Sequence, residues 1–199
     1  MNFKEIKENP SIFRYMVKKH YDQHVEGEKP FFTWHGELLE LQEYIEDNIL
    51  VKTENFVDSH SLDGNEDHVV YNNSILEEHA VTDNRKKIIE ILKRKFGLKY
   101  VEINKMMQKP GNFVAPHVDH KSSFISRCPF DFTGNELKKF IIFVTPWKMG
   151  QVWMVGNEAI TCWKKFSVIE FPWYMPHATA NTSTFDRQTI SVSGISNTI

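Results

Sequence analysis

Hydrophobic positions along the chain change their period near residue 98. Before it they recur at helical spacing: Ile12, Tyr15 and Met16 share one side of a segment from Ser11 to His20, and Leu38, Leu39, Leu41, Tyr44, Ile45 and Ile49 mark a second segment from Glu37 to Ile49. The strongest helical pattern runs from about Asn84 to Phe96. Thr82 or Asp83 is placed to cap its N-terminus, Ile88, Ile89, Ile91, Leu92 and Phe96 form its apolar stripe, and Gly97 is placed to end it. Between these helices, residues 53–83 are rich in Asn, Asp, Ser and His, which predicts long loops broken by one short strand at HVVYN.

After Leu98 the runs become short and extended: YVEINKMMQ, NFVAPHVD, KKFIIFVTPW, QVWMVG, EAITCW, SVIEFPW and RQTISVSGI. Pro and Gly fall between them or at their ends, the pattern of a β-barrel or sandwich. The expected architecture is a single domain, mainly β with N-terminal helices. Residues 1–97 form a helical and loop support region, and 98–199 form the β core.

Composition narrows the choice of partners. The 199 residues are 41% hydrophobic and include five tryptophans and fifteen phenylalanines, enough large apolar surface to need a packed interior. A net charge of −2 gives no basic face for nucleic acid or an anionic membrane. The basic run at residues 85–95 reads as the solvated side of a helix. No apolar segment follows the N-terminus and none is long enough to span a bilayer, and two cysteines 34 positions apart form no framework, so a reduced cytoplasmic protein is expected.

The candidate chemistry begins at PHVDH, residues 116–120. Side chains at i and i+2 of a strand share a face, so His117 and Asp119 present an imidazole and a carboxylate together. His-x-Asp alone is a weak signal in a chain with nine histidines. A third ligand on a neighbouring strand would leave open positions opposite, an arrangement that suits non-haem Fe(II), and His177 is the candidate. Ten residues on, RQTISVSG places Arg187, Thr189, Ser191 and Ser193 on one face. An arginine leading a polar face makes sense in an anion pocket. Iron with Asp119 leaves one positive charge and Arg187 adds another. A dicarboxylate chelating the metal and reaching Arg187 would cancel both, with the Thr189 hydroxyl donating to its far end.

At these positions the chain resembles the 2-oxoglutarate- and Fe(II)-dependent oxygenases, whose pattern is HxD, a distal His, and an Arg with Ser or Thr two residues later. The resemblance spans roughly residues 99–195. KPGNFVAPHVD is similar to the approach to the metal in prolyl-hydroxylase-like members. PHATANTSTFDRQTIS is similar to the segment of aspartyl/asparaginyl β-hydroxylase-like members that carries H-x-x-x-N and an arginine. Small stand-alone oxygenases of bacteria and phages are similar as well. The resemblance implies a double-stranded β-helix (jelly-roll, cupin-like) core. It further implies Fe(II) on His117, Asp119 and His177, 2-oxoglutarate as co-substrate with O₂, and hydroxylation of a peptidyl or free amino-acid residue. Asn181 stands where it would touch the co-substrate or orient the distal histidine loop. Two alternatives stay open: a metal-binding cupin that does not use 2-oxoglutarate, and an oxygenase acting on a nucleobase or another small molecule.

Other residues carry weaker expectations. The remaining histidines at 20, 24, 35, 60, 68 and 79 follow no ligand spacing and are expected at the surface or in loops, and His120 should face away from its neighbour. Trp147, Trp153, Trp163 and Trp173 read as core. Asn104, Met106 and Gln108 share a strand face that is placed to line a pocket. The segment from His120 to Lys138 is long for a loop and reads as a lid, with Phe124, Arg127, Phe130 and Phe132 as contacts.

Overall fold

A computed structural model describes residues 10–45, 56–58, 76–78, 82–119 and 121–197. Two helices precede the main strands: α1 (Pro10–Glu26) and α2 (Asp83–Phe96). The sequence signals of α2 act as expected. Thr82 Oγ1 accepts from the Arg85 backbone N–H at 3.1 Å, Gly97 closes the helix at φ 61°, and Ile88, Ile91 and Leu92 are buried.

Among the described residues the strands form two antiparallel sheets. β1 (Thr33–Glu37), β2 (Phe56–Asp58), β3 (Leu76–Glu78), β4 (Leu98–Gln108), β6 (Leu137–Phe143), β9 (Ser167–Pro172) and β11 (Arg187–Ser196) make the larger one. Its order is β1-β9-β6-β11-β4-β3-β2. The smaller sheet is β5 (Phe113–His117), β10 (His177–Asn181), β7 (Gln151–Val155) and β8 (Glu158–Ile160), in that order. From β4 onward the chain alternates between the sheets, except for the hairpin of β7 and β8, so that most strands lie beside one far off in sequence. This is a double-stranded β-helix.

Period-two alternation then sorts the side chains. Ile103, Phe140, Ile142, Val168, Ile190 and Val192 point outward from the large sheet and pack with Ile88, Ile91 and Leu92 of α2. Ile141, Phe143, Ile169 and Phe171 point inward and meet Trp153, Val155, Ile160 and Met175. A strand with both faces buried is expected to read as a near-continuous apolar run, as KKFIIF does after its lysines.

Three expectations are corrected. The segment predicted as a helix from Glu37 to Ile49 instead completes β1 and makes a 3₁₀ turn over Leu39–Glu43, with residues 46–49 outside the described part. Pairing decides this: Glu37 faces Ser167 in register, the Leu38 N–H donates to Phe166 O at 2.9 Å, and Leu38, Leu41 and Ile45 enter the outer core. The segment after the motif is not a bare loop, because it contains the short helix α3 (Ser122–Arg127). Phe124 and Phe132, expected as lid contacts, are 4% and 5% exposed and pack with Met16, Leu137, Trp173 and Ile195, whereas Phe130 is exposed. Among the histidines, His24 is buried, bonded to the Tyr174 hydroxyl at 3.1 Å and to Pro30 O, and His20 stacks on Tyr174. His35 pairs with Glu170 at 2.9 Å. HVVYN, His60, His68, His79 and His120 lie outside the described residues.

Candidate functional site

The last residue of β5 and the first of β10 are both histidines, and register sets them opposite each other, His177 against His117. Their rings lie 4.4 Å apart between centroids. His117 Nδ1 sits 2.9 Å from Ala115 O and His177 Nδ1 3.2 Å from Met175 O. A carbonyl only accepts, so each Nδ1 carries a proton, which makes Nε2 of each ring the atom available to ligate. Asp119 Oδ1 lies 3.4 Å from one Nε2 and 3.3 Å from the other. Taking one ligand atom from each of the three residues, all lie within 4.8 Å of one another. The route to this convergence differs from strand alternation: β5 stops at His117, and Asp119 reaches the same point from irregular chain just past the strand end.

The electrostatics reinforce the cluster. Burial alone would raise the Asp119 carboxyl, but Lys121 and Lys139, together with His177, hold it well below the usual carboxylate range. Burial lowers His177, against the pull of Asp119, so the ring is neutral and able to ligate at pH 7. Asp119 Oδ2 receives Lys121 Nζ at 2.8 Å and Lys139 Nζ at 2.5 Å. Lys121 also reaches Ser193 Oγ at 3.3 Å, and Lys139 bonds Ser191 Oγ. Burial pushes the Lys121 ammonium down to about 8 despite its carboxylate partner, because two cations share that one anion.

The second half of the site lies at the other end of β11. Arg187 is 1% exposed, with Nη1 donating to Val152 O at 2.9 Å and to Ala180 O at 3.5 Å. Its guanidinium carbon is 5.2 Å from the centre of the Trp153 ring, which in turn lies parallel to His177 at 6.4 Å. Among the described residues no carboxylate pairs with Arg187, and burial pushes it down to about 9. Three buried donors here lack acceptors: Arg187 Nε, Trp153 Nε1 and Gln108 Nε2. Gln108 is the register partner of Arg187 on β4, and Thr189, two residues on from Arg187, is 3% exposed. A buried cation with orphaned donors around it is a site for an anion with several acceptor oxygens.

Of the two roles expected for Asn181, its bonds match the one in the segment after the distal histidine. Its amide nitrogen donates to Gln108 O and Phe185 O, and its oxygen accepts from the Ser183 N–H and hydroxyl, so the side chain is committed to holding the turn between β10 and β11. Sequence reasoning overlooked Lys121 and Lys139. The second had a readable signal: in KKFIIF, alternation puts Lys139 on the face of Ile141 and Phe143, where a charge needs a partner.

No family model and no curated protein matches this sequence. Solved structures do match in shape. A prolyl-4-hydroxylase from Pseudomonas putida superposes with a TM-score of 0.55 at 9% identity, over 84% of this chain and 94% of that one. A non-heme alpha-ketoglutarate-dependent carbocyclase from nogalamycin biosynthesis superposes at 0.56 and 11% identity, over 83% and 79%. At this identity the likeness shows the fold, a double-stranded β-helix shared with both. No helix among the described residues is long and apolar enough to cross a membrane.

Proposed function

We propose that this protein is an Fe(II)- and 2-oxoglutarate-dependent oxygenase that hydroxylates an amino-acid substrate, free or peptidyl, and works in the cytoplasm as one domain. The observation that carries the reading is Arg187, a buried guanidinium with no counter-anion among the described residues and with orphaned donors beside it, on the strand that leads back toward the His117, Asp119 and His177 cluster. A cupin that binds only a metal leaves this cation and its neighbours uncompensated. A dicarboxylate satisfies them. The two solved structures of like fold, one named a prolyl-4-hydroxylase and the other alpha-ketoglutarate dependent, agree with this choice.

The donor set fits the metal: two neutral imidazole nitrogens and one carboxylate oxygen on one side, with Nδ1 of each ring fixed by a carbonyl. When bound, iron and 2-oxoglutarate supply the oxidising chemistry, by coupling loss of CO₂ from the co-substrate to oxygen insertion from O₂. The protein's own groups bind and orient. Arg187 with Thr189, Gln108 and Trp153 holds the distal carboxylate, and the buried wall of Phe143, Trp153 and Phe171 keeps water from that end. Lys121 and Lys139 fix the orientation of Asp119 through Oδ2, which leaves Oδ1 for the metal.

Anaerobic calorimetry with Fe(II) tests the reading. Wild type should bind 2-oxoglutarate, and Arg187→Ala should lose about 2–5 kcal/mol of that affinity with iron binding retained. Arg187→Lys should not restore it fully, since an ammonium lacks the forked geometry. Aerobic turnover, with mass spectrometry of amino acids and peptides for a product heavier by one oxygen, then identifies the substrate. Tight 2-oxoglutarate binding by Arg187→Ala would refute the assignment.

A further inference from the structure

Resting on the oxygenase reading, the pair Lys121 and Lys139 narrows the substrate. Both ammoniums are nearly buried, their side chains 5% and 6% exposed, and both bond the oxygen of Asp119 that faces away from the imidazoles. Each also bonds one serine of β11, Ser193 or Ser191, so each keeps one of its three N–H donors. The next carboxylate on that inner face, Glu102, is already taken by Arg127 in a two-pronged pair at 2.9 and 2.7 Å and by the Tyr100 hydroxyl.

Charge and position then point the same way. Iron, Asp119, 2-oxoglutarate and Arg187 sum to zero, which leaves the charges of both lysines over. An uncompensated buried cation is costly, and two adjoining ones more so. Ser193 lies six residues from Arg187 on β11, about 20 Å at roughly 3.3 Å per residue. Lys139, through Ser191, bonds β11 four residues from Arg187, about 13 Å by the same measure, so both lysines meet Asp119 from the part of β11 that lies away from Arg187. The Asp119 side chain that they bond is 26% exposed, so the cluster is not sealed from solvent.

We infer that Lys121 and Lys139 form a docking site for a carboxylate of the substrate, so that the substrate is an acid, such as a free amino acid, rather than an uncharged internal residue of a peptide. The carboxylate accepts the remaining N–H of each ammonium and cancels charge that the metal and co-substrate leave over. The substrate is thereby held by one end beside the metal.

The probe is acetate against its neutral isostere acetamide, in protein loaded with Mn(II) in place of iron and saturated with 2-oxoglutarate. Relaxation of the methyl protons by the paramagnetic ion reports binding near the metal without turnover. Acetate should bind at least about tenfold more tightly than acetamide. Lys121→Met and Lys139→Met should each weaken acetate about tenfold and leave acetamide unchanged, with each variant measured at Mn(II) and 2-oxoglutarate concentrations that calorimetry shows to be saturating for it, since loss of either lysine also loosens Asp119. Equal binding of acetate and acetamide to wild type overturns the inference whatever the variants do, as does wild-type acetate affinity in both variants. Inorganic phosphate binding more tightly than acetate overturns the carboxylate assignment. Failure of wild type to bind Mn(II) or 2-oxoglutarate by calorimetry is a different result, which removes the oxygenase reading and this inference with it.

Discussion

Arg187→Met should stabilise the protein while abolishing its response to 2-oxoglutarate. In the absence of ligand the guanidinium is buried without an anion among the described residues, and burial carries it from the ordinary guanidinium range down to about 9. At about 1.4 kcal/mol per pH unit, that difference sets a ceiling of about 5 kcal/mol on the cost of keeping it charged. Two terms reduce the gain on substitution: the bonds from Nη1 to Val152 O and Ala180 O, and the contact with the Trp153 ring, together about 1–2 kcal/mol. Replacing buried ions by apolar residues of similar volume stabilises by about 1–4 kcal/mol in known cases, so about 1–3 kcal/mol is expected here. For a chain of this length each kcal/mol raises Tm by about 2–4 °C.

Thermal melts of wild type and variant, with Fe(II) under argon and with or without 2-oxoglutarate, test both halves. At a hundredfold excess over its Kd the ligand should add about 2.7 kcal/mol to wild type and nothing to the variant. The pH dependence has a definite sign. Folding lowers this base, so its unfavourable contribution is full below about pH 9 and fades as pH rises from about 9 toward the ordinary guanidinium range. The gap in Tm between variant and wild type should be level from pH 6 to 8 and narrow above 9. A variant that melts below the unliganded wild type would show that the guanidinium is a structural brace. A ligand-induced shift surviving in the variant would put the anion elsewhere.

Three other outcomes are expected. His117→Ala, Asp119→Ala and His177→Ala should each weaken Fe(II) binding by calorimetry at least about a hundredfold, and Asp119→Ala should also cost about 3–5 kcal/mol of stability, because it strands Lys121 and Lys139. Metal affinity should be level near pH 7 and fall on acidification below the ordinary histidine range. His177 is lowered by burial, so its contribution to stability is present above about 6.5 and is lost as pH falls through its depressed value; a titration of Mn(II) affinity and Tm from pH 8 to 5 measures both. Phe124→Ala and Phe132→Ala should each lose about 3–5 kcal/mol in denaturant melts with 2-oxoglutarate Kd unchanged, whereas the exposed Phe130→Ala should stay within about 0.5 kcal/mol.

How far the sequence could be read depended on whether a signal was local. The α2 cap, the stripe and Gly97 are all set within one stretch of chain, and all are found in place. The strand runs from YVEINKMMQ to RQTISVSGI were visible because alternation and Pro/Gly punctuation are local too. The Glu37–Ile49 segment misled because its leucines satisfy a helical stripe equally well, and only pairing with β9, more than 100 residues away, decides that the chain enters as a strand. Phe124 and Phe132 misled for the same reason, since their partners Met16 and Trp173 come from distant elements. The His117, Asp119 and His177 grouping was legible from residue type and spacing. The mechanism of convergence was not, because it depends on where β5 stops.

The interior of the barrel gathers charge along one strand, and this organises the site. β11 turns Arg187, Thr189, Ser191 and Ser193 inward, while its neighbour β6 presents Lys139 beside Ile141 and Phe143 on the same face. Three cations thus enter an apolar interior against one acid, Asp119, that touches two of them. Such an arrangement works against folding, as the lowering of Lys121 and Arg187 by burial shows. Sites that oppose stability persist where ligands supply what is missing. A metal and a dicarboxylate compensate Arg187 and Asp119 and still leave both lysines. It is this remainder, in place before any substrate arrives, that the inferred carboxylate of the substrate would meet.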